Sequence, residues 1–142
     1  MNWLRAFVIS VASILAAGCA TGPSFNDMKS KMPDLGKDTG RVFIYRDSSR
    51  GAAMQPQIAV NGKTVGTSRA NGFFFVDLPA GEHRVSAATE VERSLTLALA
   101  GGQTRYVRAY ISFGLLVGRI NFDLVNAEAG EAAVAGLAYS PD

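Results

Sequence analysis

Gly72-Phe73-Phe74-Phe75-Val76-Asp77-Leu78-Pro79-Ala80-Gly81-Glu82-His83-Arg84-Val85 is the stretch from which the fold can be read. Phe74, Val76 and Leu78 recur with period two, the spacing that puts side chains on one face of an extended chain. Pro79 then presets φ for a tight turn and Gly81 relaxes it, after which a second extended run begins at His83. The pattern continues in both directions as short apolar runs bounded by Gly, Pro, Asn and Asp: Arg41 to Arg46, Gln57 to Val60, Thr64 to Ser68, Phe73 to Leu78, His83 to Ala88, Ser94 to Leu99, Thr104 to Ser112 and Arg119 to Leu124. Asn61-Gly62 between two runs is the strongest short hairpin signal, because both turn positions need positive φ. Leu95, Leu97 and Leu99, then Val107, Ala109 and Ile111, then Ile120, Phe122 and Leu124 are expected to point inward. The reading is a mainly β chain: one antiparallel β-sandwich with meander connectivity over residues 40–142, ending in a short helix. Asn126 can cap that helix, an alanine-rich segment from Ala127 weakened by Gly130 and Gly136, and a last strand through Val134 and Leu137 is the alternative.

Composition limits what such a domain can do. The chain has 142 residues, 48% apolar and 18% charged, with 15 glycines, which describes an ordered, turn-rich chain rather than a disordered one. Its formal charge of +2 comes from basic residues scattered singly, so no nucleic-acid partner is expected. One cysteine and one histidine leave no disulfide framework, no Cys/His zinc site and no Cys–His nucleophilic pair. No metal, no cofactor and no catalytic constellation are expected.

The amino terminus has a different character. Met1 to Arg5 carries one positive side chain, Ala6 to Ala17 is apolar, and Gly18-Cys19 follows: the three parts of an export signal, here residues 1–18. As a helix the apolar run extends about 18 Å, short of a hydrocarbon core of about 30 Å. Leu15-Ala16-Ala17-Gly18-Cys19 resembles the lipobox of bacterial lipoproteins, with Ala16 where leucine is usual. That resemblance implies a diacylglycerol-modified Cys19, removal of the leader and acylation of the new amino terminus. Ala20 rather than aspartate after the cysteine implies the outer membrane, facing the periplasm. Residues 19–39, with two prolines and two glycines between Ala20 and Thr39, are read as a lipidated, flexible tether. Phe25, Met28 and Met32 fall at helical spacing, so a short docked helix capped by Ser24 or Asn26 is the competing reading.

Asn61-Gly62-Lys63-Thr64-Val65-Gly66, the Gly72 to Val85 stretch, and Gly102-Gln103-Thr104-Arg105-Tyr106-Val107-Arg108 together resemble the bacterial lipoprotein family labelled domain of unknown function 2846, from about Gly40 to Val125. The first two blocks are also similar, more loosely, to the PEGA-type repeat, a prealbumin-like β unit. These resemblances imply an exported, prealbumin-like β-sandwich and no established activity.

Four groups of residues are candidates for function. His83 has only Glu82 near it in sequence, on the other strand face, and is expected to pin its turn by hydrogen bonding. Asp77, Glu90 and Glu92 are acids around turns, expected to be solvated unless a pocket pairs them. Tyr106, Arg108 and Tyr110 alternate on one face of a strand, where two phenols and a guanidinium could take a sugar ring, a peptide carboxylate or a protein partner, unless a helix or strap covers them. Phe113-Gly114-Leu115-Leu116-Val117-Gly118 holds no charge, so Phe113, Leu115 and Leu116 form either a strand running on through the core or an apolar tip for a partner or lipid. The expectation is a non-enzymatic binding or assembly module, partnered by the membrane through its lipid and by an envelope protein or a cell-wall glycan or peptide. The alternative is an inhibitor or modulator of an envelope enzyme, acting through a protruding loop at Phe113 to Gly118 or Asp47 to Pro56.

Overall fold

Eight strands form where the alternation places them, and a short ninth follows the terminal helix. The computed structural model describes residues 19–141; residues 1–18, where the leader is expected, and Asp142 lie outside the described residues. The strands are β1 (Thr39–Arg46), β2 (Gln57–Val60), β3 (Lys63–Thr67), β4 (Gly72–Pro79), β5 (Gly81–Ala88), β6 (Glu92–Leu99), β7 (Thr104–Phe113), β8 (Gly118–Val125) and β9 (Ala138–Tyr139). Helix α1 (Phe25–Lys29) precedes β1, and α2 (Ala127–Ala135) lies between β8 and β9. A five-stranded sheet ordered β8-β7-β1-β4-β9 packs on a four-stranded sheet ordered β3-β2-β5-β6. The β-sandwich and the terminal helix are thus as expected. Asn126 caps α2 by accepting from the Ala129 N–H at 2.9 Å.

Connectivity departs from a simple antiparallel meander in two ways. β7 runs parallel to β1, Arg41 opposite Thr104 and Tyr45 opposite Arg108, and β9 runs parallel to β4. The turn through Ala80 joins no hairpin but passes the chain from the larger sheet to the smaller one. Its Ala80 N–H donates to Asp38 O at 2.9 Å, and Gly81 takes φ +143°. Alternation fixes which side chains share a face, but a strand partner's direction depends on where the connections cross, and local periodicity does not encode that. Asn61 (φ 52°) and Gly62 (φ 82°) make the left-handed pair that their hairpin requires.

The apolar residues form two layers. Val42, Ile44, Ile58, Phe74, Val85, Leu97, Val107 and Ile120 fill the space between the sheets. Phe43, Tyr45, Phe73 and Tyr106, on the other face of the larger sheet, are covered by Phe25 of α1 and Val134 of α2. β1 is therefore buried on both sides. Leu124 departs from the expected inward face: along edge strand β8, burial falls from Ile120 at 0% exposed through half-buried Phe122 to Leu124 at 41%. The smaller sheet's cover runs out along that edge.

The flexible tether expected at residues 19–39 gives way to the docked-helix alternative. Ser24 caps α1, its hydroxyl donating to Asp27 Oδ2 at 2.8 Å and accepting from the Asp27 N–H at 3.2 Å. The Phe25 ring packs edge-on against Phe43 and Phe73 at 5.7 and 5.9 Å. Arg41 holds the segment's far end, donating to Pro33 O at 2.6 Å while paired with Asp77 at 2.7 and 2.9 Å. An apolar sheet face open on its outer side gives Phe25, Met28 and Met32 somewhere to bury, which releases more free energy than a free coil retains as entropy.

Candidate functional site

One end of the sandwich gathers Cys19, residues 68–71, the loop 47–56, the β5–β6 turn and the β7–β8 turn. Arg46, the last residue of β1, organises it. Because β1 is central and covered on both faces, its final side chain emerges under the loop rather than into solvent, and Arg46 is 1% exposed. Nη1 donates to Met54 O at 2.7 Å and Ser68 O at 3.2 Å, and Nη2 to Arg50 O at 3.0 Å and Gly51 O at 2.6 Å. Four carbonyls take the place of a carboxylate. Burial lowers the proton affinity of the guanidinium. The loop Asp47 to Pro56 is therefore tied to the body and does not form a free probe.

The β7–β8 turn does project. Phe113, Leu115, Leu116 and Val117 are 83, 86, 92 and 53% exposed, so the continuing-strand reading of this segment gives way to the apolar tip. The tip is held from beneath by Glu90, whose Oε2 accepts from the Leu115 N–H at 3.0 Å and from Arg119 Nε at 2.9 Å. Gly114 is required there, since a β-carbon would collide with the Val117 backbone carbonyl as well as with the Glu90 carboxylate. Thr89 Oγ1 accepts from the Ile120 N–H at 3.1 Å, and the Arg50 guanidinium lies over the Phe113 ring at 4.9 Å.

The Arg119 hydrogen bond, followed by those from the Leu115 and Leu116 backbones, holds the Glu90 carboxyl below its ordinary value of 4.5. A depressed folded pKa means that the clamp contributes fully above the ordinary glutamate range and is lost as pH falls through the folded value. The protection of the amides at residues 114–118, corrected for the intrinsic slowing of exchange at lower pH, is accordingly expected to fall on acidification. Glu90→Gln is expected to show the lowered protection already at neutral pH. Equal protection of the two proteins at pH 7 would show that the carboxylate does not hold the tip.

Cys19 is half-buried and forms a parallel bridge with Ala70, and the Ala20 N–H donates to Ala70 O at 2.9 Å.

The Tyr106–Arg108–Tyr110 stripe is dismantled as a binding surface. Tyr106 is 6% exposed, stacked on Phe43 at 5.2 Å, and lies beneath α2, where a β-carbon at Gly130 would collide with its ring. Burial raises its phenol pKa. Arg108 donates to Asp47 Oδ1 at 2.8 Å and lies 5.3 Å from the Tyr110 ring centre, a structural pairing that raises the guanidinium pKa. The edge of Tyr106 remains on an open groove of about 460 Å³ between α1 and α2, lined also by Phe25, Met32, Arg41, Phe43 and Glu131.

His83 is buried and pins its turn as expected: Nε2 donates to Pro79 O at 2.7 Å, and Nδ1, then the acceptor, lies 2.8 Å from Asn61 Nδ2. The acids are not brought together. Asp77 on β4 pairs with Arg41, Glu90 in the β5–β6 turn with Arg119, and Glu92 at the start of β6 with Arg84. Among the described residues no group of three His, Cys, Asp or Glu side chains is placed to hold a metal. Sequence reasoning passed over Arg46 as a strand end; the unbroken Val42-Phe43-Ile44-Tyr45 run before it was the available signal of a strand buried on both faces.

A two-sheet β-sandwich with a docked amino-terminal segment and one clamped apolar tip defines the class. The chain belongs to the family described as Protein of unknown function (DUF2846), whose model matches residues 36–119, more than half of it. It is also 34% identical over 140 residues to an uncharacterized protein of Haemophilus influenzae, covering 94% of this chain and 82% of that relative.

Proposed function

We propose that this chain is a lipoprotein of the cell envelope, anchored through Cys19 in the outer membrane with its domain in the periplasm, where it serves as a non-enzymatic binding or assembly module. The observation that carries the reading is Cys19 itself: it directly follows the apolar Ala6 to Ala17 run and Gly18, and it lies half-exposed at one end of the fold, outside both core layers. A thioether there could leave the protein without crossing the core. Two or three acyl chains hold a protein stably on a bilayer, at about 0.8 kcal/mol per buried methylene. The non-enzymatic part is supported by the separate arginine partners of Asp77, Glu90 and Glu92 and by the engagement of both His83 nitrogens. The groove between α1 and α2 offers aromatic edges with Arg41 and Glu131, suited to a peptide or glycan of the envelope.

Intact mass of the protein purified from its native membranes tests the anchor. The chain is expected to begin at Cys19 and carry diacylglycerol, and to sediment with the outer membrane. Cys19→Ser is expected to retain residues 1–18, gain no lipid mass and remain with the inner membrane, because the peptidase that removes a lipoprotein leader acts after lipidation. Native protein with an unmodified Cys19 thiol would overturn the reading. A second reading, a modulator of an envelope enzyme acting through a protruding loop, draws support from the exposure of Phe113, Leu115 and Leu116. The two readings differ over what covers that tip.

A further inference from the structure

We propose that the tip Phe113–Val117 enters the same bilayer leaflet that carries the Cys19 anchor, so that the domain sits end-on against lipid. This rests on the lipoprotein reading above. The register of the larger sheet carries the argument. Arg41 lies opposite Thr104 and Tyr45 opposite Arg108, which puts Arg46 level with Ala109. Phe113 is four residues further along β7, about 13 Å beyond the end of β1 at about 3.3 Å per residue. Arg46 also lies opposite Gly72 of β4, and Cys19 bridges to Ala70, two residues past that level in the same direction. Anchor and tip therefore leave the sandwich at one end. β7, which leads into the tip, and β4, whose approach at Ala70 pairs with Cys19, are two strand spacings apart, about 10 Å, with the tip reaching further out.

Three observations choose lipid as the occupant. The amino-terminal segment is docked, with the Ala20 N–H bonded to Ala70 O, so no slack lies between Cys19 and the body to hold the domain away from its membrane. Cys19, the residue that follows the apolar Ala6 to Ala17 run and Gly18 in sequence, lies at this end, so lipid attached to it or a retained run before it starts from the same place. The exposed apolar residues are polarised: of the six large ones among the described residues, Val91, Phe113, Leu115, Leu116 and Val117 lie at this end, and Leu124 alone lies elsewhere. Charge at the tip is compatible with a headgroup layer. Glu90 is neutralised by Arg119 and Asp47 by Arg108, while Arg50, with no carboxylate partner among the described residues, lies over the Phe113 ring. Clamping by Glu90 presents Leu115 and Leu116 already ordered, so insertion costs little further entropy.

The test uses the full chain, processed by the cell, purified and reconstituted into vesicles of phosphatidylethanolamine and phosphatidylglycerol with brominated acyl chains. The sole tryptophan, Trp3, is first replaced by Phe, so that an introduced indole is the only one whatever happens to the leader. Leu116→Trp is expected to give blue-shifted emission, quenched by the brominated lipid at least fivefold more than Ala100→Trp, which lies in the β6–β7 turn at the opposite end. Both positions are exposed, so neither substitution disturbs packing. Equal quenching of the two variants in protein whose mass carries diacylglycerol would overturn the inference while leaving the anchor intact, and would point to a protein cleft as the tip's partner. The mass of the same preparation reports the anchor separately. An unmodified Cys19 would overturn the lipoprotein reading, and the quenching ratio would still decide whether the tip meets lipid.

Discussion

Arg46→Met is expected to destabilise the fold by about 3–5 kcal/mol and to lower its melting temperature by about 10–20 °C. Methionine fills much of the aliphatic volume but donates nothing to Met54 O, Ser68 O, Arg50 O and Gly51 O. A fully buried carbonyl left without a donor costs about 1–3 kcal/mol; here only the Ser68 bond is fully buried and the other three are part-buried, so the total stays below the sum, water reaching those carbonyls as the loop 47–56 opens. That opening is a second readout: Arg50, on the loop, should become a ready site for trypsin. Arg46→Lys keeps the charge but not the planar fork that serves two pairs of carbonyls, so it should recover only part of the loss. Thermal denaturation followed by circular dichroism measures the effect, and a fall of less than about 2 °C would mean that the loop holds its shape without the guanidinium.

The second large effect is expected from Phe25→Ala. A buried phenylalanine truncated to alanine costs about 3–5 kcal/mol, but here the cost is confined to the docked amino-terminal segment. Phe25 is 6% exposed and provides the segment's aromatic contacts with Phe43 and Phe73. Without it, the segment keeps the Ser24 cap, single hydrogen bonds at Ala20, Pro23 and Pro33 and the half-buried Met28 and Met32, around a five-residue helix too short to persist alone. The segment should therefore peel away while the sandwich stays folded. Hydrogen exchange of Tyr139, whose N–H donates to Pro23 O at 2.7 Å, should accelerate by at least 100-fold, with the amides of β1 and β7 nearly unchanged. Global unfolding in step with that loss would show that the segment belongs to the cooperative core. If Cys19 is the anchor, the same substitution turns a short rigid attachment into a long flexible one, and the tip should lose its enforced approach to the membrane.

Much of the fold was legible because alternation and turn chemistry are local. Asn61-Gly62 forms its positive-φ turn, His83 pins the turn before it, and each apolar run becomes a strand to within a residue or two. The failures share one cause. Tyr106 and Arg108 lie on the strand face opposite Val107, as alternation requires, yet whether that face meets water depends on α2 lying across it with Gly130 against the Tyr106 ring. Leu124 obeys its alternation too, and is exposed because it lies at the far end of an edge strand along which burial falls away from Ile120. Phe25, Met28 and Met32 carried a helical signal that could not outweigh two prolines and two glycines until an apolar face was known to await them.

By itself, then, the order of residues determined the strands, their inward faces, the two-sheet class and the capped terminal helix, since each follows from backbone sterics and the burial of one side of an extended chain. Tertiary structure alone decided that β7 lies parallel to β1, that Arg46 is buried among carbonyls, that Tyr106 is covered, and that Cys19 and Leu116 leave the sandwich at one end. Those are relations between residues far apart in the chain, fixed by which surfaces were left uncovered once the sheets had formed, and no local pattern carries that information.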